Sequence, residues 1–125
     1  MGHKKPRGRK TRKKVGLILR ENKRSKALGL LSQIPDDQLV GHLFSHFYSQ
    51  EELIKFRSTT AMGELCLRLA GDRMEKARVV LRRIMWNLND ESGGIGWGSP
   101  EAMGEILARI PELALDFASI LFSYL

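Results

Sequence analysis

Sustained strand alternation is missing from this chain of 125 residues. No segment keeps apolar and polar residues in strict turn, which argues against a sheet. Cysteine is almost absent as well. Cys66 stands alone, so no internal disulfide framework exists and the chain suits a reducing compartment. Long apolar runs are lacking too. The longest near the start, Val15 to Leu19, is broken by Gly16 and is too short for a signal peptide or a membrane span. The opening Met1-Gly2-His3-Lys4-Lys5-Pro6 lacks the Ser or Thr of a myristoylation signal. No Walker or dinucleotide spacing occurs, and no Ser/His/Asp or Cys/His arrangement has a recognisable context. These absences predict a soluble cytoplasmic protein with no catalytic residues, no metal and no cofactor.

What is present is charge, and it is uneven. Residues 1–26 hold 12 of the 21 Lys and Arg and one of the 14 acids, a net +11, and the remainder is −4. Residues 1–14 are Lys, Arg, Gly and Pro with little to bury, so the expectation is a disordered basic arm over 1–14 ahead of a folded domain over 15–125. From there the apolar spacing is helical. Ala27, Leu30, Leu31 and Ile34 share one face, and Pro35 ends that helix. Val40, Leu43, Phe44 and Phe47 stripe the next, behind Asp36 and Asp37. Ser49 is the expected cap of a third helix that Gly71 stops. Asp72 is the expected cap of a fourth, with Met74, Ala77, Leu81, Ile84, Met85 and Leu88 inward. Ser99-Pro100-Glu101 opens a fifth, and Pro111 a last one reaching Tyr124. The fold expected is all-α, with six helices, or seven if the basic segment before Asn22 is helical.

A repeat runs through this pattern. Ala61-Met62-Gly63-Glu64 returns as Ala102-Met103-Gly104-Glu105, 41 residues on, and Ala27-Leu28-Gly29-Leu30 is a looser copy 34 residues before. Periods of this size mark solenoids of helix pairs. Aligned on the repeat, Phe56 falls with Trp97, Ser58 with Ser99 and Arg68 with Arg109. Glycine inside a helix costs about 1 kcal/mol relative to Ala, so its return at 29, 63 and 104 predicts close helix approach there.

The stretch Arg57-Ser58-Thr59-Thr60-Ala61-Met62-Gly63-Glu64-Leu65, with Leu81 to Asp90 as the second helix, resembles the HEAT family in its short bacterial form, also found in phycobilisome-lyase-type repeat proteins. Ser99 to Ile106 begins the pattern again with Gly98 in place of the Arg, and Asn89 to Glu101 looks like a stretch of uncharacterised bacterial HEAT-repeat proteins. The resemblance covers roughly residues 20–125. It implies a right-handed α-solenoid of about three helical-hairpin repeats, of the armadillo type. Such arrays are scaffolds, nucleic-acid binders and, rarely, enzymes.

Two surfaces are candidates. The first is a protein-binding face of Trp86, Asp90, Glu91, Ile95, Trp97 and Glu101, joining the Gly-rich loop 92–98 to a tryptophan between arginines. Trp97, at the position of Phe56, is expected in the core or at a repeat interface. The second is a nucleic-acid surface of Lys4, Lys5, Arg7, Arg9, Lys10, Arg12, Lys13 and Lys14 with Arg78, Arg82 and Arg83. Asp90 or Glu91 with Trp86, Trp97 and Arg83 also mimic a set that the resemblance implies in DNA-glycosylase-like HEAT proteins, and a bilin-lyase role is a further implication of it. His42 and His46, four apart, are expected on a solvated face, and Cys66 in the core. The apolar Ile120 to Leu125 points to a fragment, to a fold back on the chain, or to a homodimer through the last helix, against a monomer otherwise.

Overall fold

The computed structural model describes residues 4–90 and 99–115, with side chains over 9–87 and 99–115. Six helices lie there in chain order: α1 Lys4–Leu19, α2 Arg24–Leu31, α3 Asp36–His46, α4 Glu52–Asp72, α5 Met74–Asp90 and α6 Ser99–Arg109. Residues 111–115 are helical as well, beginning at Pro111. No strand occurs among the described residues, so the chain is all-α.

The basic segment is helical from Lys4 on, in place of the disordered arm expected over 1–14. The reason lies at its far end. Val15, Gly16, Ile18 and Leu19 are buried, and α1 packs on α2, α3 and α4. Once that end is anchored, Lys and Arg extend the helix because they are good helix formers, and Pro6 is tolerated in a first turn. The boundary drawn at residue 14 therefore cuts through one continuous helix.

Elsewhere the ends shift by a few residues. Helix α2 stops at Leu31, and the Ser32 hydroxyl donates to the Gly29 carbonyl at 2.6 Å. Ile34 is buried from the turn that follows, and Pro35 stands as the N-cap of α3, its carbonyl accepting from the Leu39 N–H at 2.9 Å. The α3 stripe includes Leu39 in the core, whereas Val40 is only partly buried. Ser49 does not cap α4 directly. Glu51 holds that position, and the Ser49 hydroxyl accepts from the Glu51 N–H at 3.1 Å, shaping the loop. Gly71 does not stop α4, which continues to Asp72. The break comes at Arg73, whose extended backbone turns the chain into α5. Asp72 thus closes α4, and its carboxylate pairs with Lys76.

The core lies around α4, which packs on every other complete helix and most extensively on α6. The 41-residue repeat is written in that pair: Ser58 and Ser99, Ala61 and Ala102, Met62 and Met103, Leu65 and Ile106, Cys66 and Leu107, Leu69 and Ile110 are all buried. The looser copy fades after one turn, since Ala27 and Leu31 are buried while Ser32 and Pro35, at the places of Cys66 and Leu69, are exposed.

The repeated glycines are not equivalent. A Cβ on Gly63 would sit 3.0 Å from the Glu105 Cβ and 3.0 Å from Arg109 Nη1, so α4 and α6 approach closely there. Gly29 and Gly104 have nothing within 4 Å of that position. Replacing Gly104 with Ala should therefore stabilise the fold by about 0.4–1 kcal/mol. Gly63→Ala should instead cost roughly 1–3 kcal/mol through overpacking. Thermal unfolding of the two variants checks this. A common sign for both would show that the α4–α6 approach is not what constrains Gly63.

Candidate nucleic-acid interface

Helix α1 turns two faces outward beside its buried one. Arg9, Arg12, Lys13, Gly16, Leu17 and Arg20 follow the spacing of a single helical stripe. They form one wall of a cleft of about 610 Å³, closed by His46, Ser49, Glu51 and Ile54 from α3, α4 and the loop between them. Lys10 and Lys14 lie outside the cleft and are exposed. Among the described residues no ion pair engages Arg9, Lys10, Arg12, Lys13 or Lys14. The acid of the cleft, Glu51, is held by Arg20 at 2.7 Å.

The placement of α1 is fixed by Arg57 of α4. Its guanidinium donates to the carbonyls of Leu19 (3.5 Å), Glu21 and Asn22 (3.1 Å). Those carbonyls lie at and just beyond the end of α1, where helical partners run out. One side chain thus satisfies the helix end and ties it to the central helix.

The arginines of α5 are placed differently. Glu75 takes both Arg82, at 2.9 Å, and Arg78, at 3.7 Å. Arg83 lies over the Phe44 ring, 4.3 Å from its centre, and so bridges α5 to α3. Among the described residues α5 makes no substantial contact with α1, so the structure does not bring the two basic sets together. Of the protein-binding set, Trp86 is 68% exposed on the outer side of α5, a turn and more beyond Val79, which is 55% exposed. Glu101 is half-buried and partnered in the first turn of α6. The Asp90 side chain, Glu91, Ile95 and Trp97 lie outside the described residues, as do the side chains of Lys4, Lys5 and Arg7. Phe56 is 50% exposed, so the repeat alignment no longer argues that Trp97 is a core residue. The last apolar segment, 120–125, is also outside the described residues.

His42 and His46 are half-buried because α1 packs over that side of α3, in place of the solvated face expected. A Cβ on Gly16 would meet the His46 ring at 3.3 Å, and the His46 Nε2 is buried without a hydrogen-bond partner. Burial lowers the pKa of both. Arg12 adds to the effect at His42. At His46 the Arg12 carbonyl opposes it, while the charges of Arg12, His42 and Arg20 reinforce it. No cluster of three or more His, Cys, Asp or Glu that would hold a metal occurs among the described residues. Cys66 is buried, and burial pushes its thiol up to about 12. Among the described residues no helix is long and apolar enough to cross a membrane.

Gly16, Leu17, Arg20, His46, Ser49, Glu51 and Ile54 are the cleft residues that neither candidate surface included. The signal was available in the stripe 9, 12, 13, 16, 17, 20, which becomes visible once the arm is read as helix.

Comparison with known proteins leaves the family open. No family model matches the chain, and no solved structure matches it. An uncharacterized protein of Archaeoglobus fulgidus is 32% identical over 75 residues, which are 60% of this chain and 38% of that protein. The chain therefore spans well under half the length of that relative.

Two outcomes follow from the buried groups. Because both imidazoles titrate below 6.5 when folded, the unfolded chain takes up protons first as the pH falls. Stability should be full above pH 6.5 and fall as the pH drops through the folded pKa values. Urea midpoints at several pH values measure this, and His46→Gln should flatten the profile. An unchanged profile would mean that His46 is not charged at the expense of folding. Cys66 should react with iodoacetamide only as fast as the protein unfolds, and labelling as rapid as in a denatured control would contradict its burial.

Proposed function

We propose that this protein is a non-enzymatic, cytoplasmic binding module on a HEAT-like right-handed solenoid, and that α1 engages the phosphate backbone of nucleic acid. The solenoid reading is supported by the shared burial of α4 and α6 at the 41-residue offset and by their side-by-side packing, with α5 packed on both. One observation carries the ligand: Arg9, Lys10, Arg12, Lys13 and Lys14 stand on an anchored helix without an acid to neutralise any of them among the described residues. Cations left unpaired in this way are available to displace counterions from a polyanion. The arginines of α5, committed to Glu75 and Phe44, are not needed for it.

Fluorescence anisotropy with nuclease-treated protein and a labelled single strand, from about 50 to 200 mM salt, tests the reading. Affinity should fall steeply with salt. Replacing Lys10 and Lys14 with Gln should weaken binding and reduce the slope of log K against log salt by up to about 1.4, near 0.7 for each lost phosphate contact. No binding at the lowest salt would discard nucleic acid as the ligand.

A protein partner on the outer side of α5 is the second reading, favoured by the exposure of Trp86 and Val79. Exposed tryptophan is a frequent centre of binding energy between proteins. The two readings separate by variant: Trp86→Ala weakens binding in this one and leaves the α1 interface unaffected.

A further inference from the structure

We propose that the cleft between α1 and the α3–α4 loop is a site for a phosphate monoester, such as the 5′-phosphorylated end of a nucleic acid or a free mononucleotide. It rests on the reading of α1 as a phosphate-binding helix but assigns a separate subsite. Arg9, Arg12, Lys13 and Arg20 line one concavity, and the acid facing them, Glu51, is taken by Arg20. The residual charge of the lining is +3. A terminal phosphate carries close to two negative charges at neutral pH, an internal phosphodiester only one, so the concavity favours the terminal group.

Shape points the same way. A backbone of internal phosphates runs along a ridge of cations, as Lys10 and Lys14 offer on the outer side of α1. The recess beside α1, about 610 Å³ and wide at its mouth, instead lets a protruding end group reach Arg9, Arg12 and Lys13 together. Leu17, 67% exposed, gives it an apolar surface against which an attached sugar and base can lie. Ser49 and His46 stand on the opposite wall, where the Ser49 hydroxyl accepts from the Glu51 N–H at 3.1 Å.

The test uses the full chain and two labelled single strands identical except for a 5′-phosphate or a 5′-hydroxyl. Two variants remove equal charge from different faces: Arg12→Gln with Lys13→Gln inside the cleft, and Lys10→Gln with Lys14→Gln outside it. Circular dichroism confirms that each remains helical. The wild type should bind the 5′-phosphorylated strand roughly tenfold more tightly, the scale of one charge-assisted hydrogen bond. The cleft variant should lose that preference, and the outer variant should bind both strands more weakly while keeping it. AMP as competitor separates the sources, because displacement of the phosphorylated strand shows that a free nucleotide suffices. Preference without displacement assigns the site to the strand end.

Equal binding of both strands by the wild type, with no effect of AMP, overturns the cleft while leaving the α1 reading intact. If neither strand binds but AMP shifts the amide signals of the α1 cleft residues, the cleft stands and the nucleic-acid reading falls. Preference retained in the cleft variant would also overturn the site.

Discussion

The architecture depends on the close approach of α4 and α6 at Gly63. The absence of a side chain there lets Arg109 lie across the helix, where it meets Glu64 at 3.3 Å and Glu105 of its own helix. Burial disfavours the Arg109 charge, but the two carboxylates outweigh it and its pKa rises. A small residue and a long one thus occupy one space, and the apolar residues on either side fall into register. Ala61, Met62, Leu65 and Cys66 of α4 and Ala102, Met103, Ile106 and Leu107 of α6 are buried together as a consequence. Ion pairs at the surface add little by comparison.

With α4 fixed on that side, its other sides position the remaining helices. Arg68 reaches Asp36 at the start of α3 at 2.7 Å, and Arg57 reaches the end of α1. The basic helix therefore does not float beside the domain. Its inner face, Val15, Ile18 and Leu19, is part of the same core. A cationic segment acquires a fixed geometry here because it shares a helix with apolar residues, whereas the same charges on a free tail would pay an ordering cost on binding.

Helix type and most of the inward-facing residues were legible in the sequence, because 3.6-residue spacing is set by the chain itself. Ala102, Met103, Ile106, Leu107 and Ile110 are buried as their spacing predicts. What escaped was decided by neighbours distant in sequence. The charge of residues 1–14 argued for disorder, but their anchor lies at residues 15–19 and in partners on α2, α3 and α4. The glycines at 29, 63 and 104 look alike locally, yet only the surroundings of Gly63 are crowded. The arginines of α5 read as a free basic side until Glu75 and Phe44 are seen to claim them. The candidate site was legible as a set of charges and not as a cleft, since its far wall comes from a loop some 30 residues away.

The Arg57 clamp grips backbone carbonyls, not side chains. Every residue offers the same carbonyl. The connection at Glu21 and Asn22 is therefore free to drift under mutation without loosening the helix it follows. Substitutions there can change local charge or contacts while the attachment persists, so the position of α1 is decoupled from the identity of the residues that join it to the body.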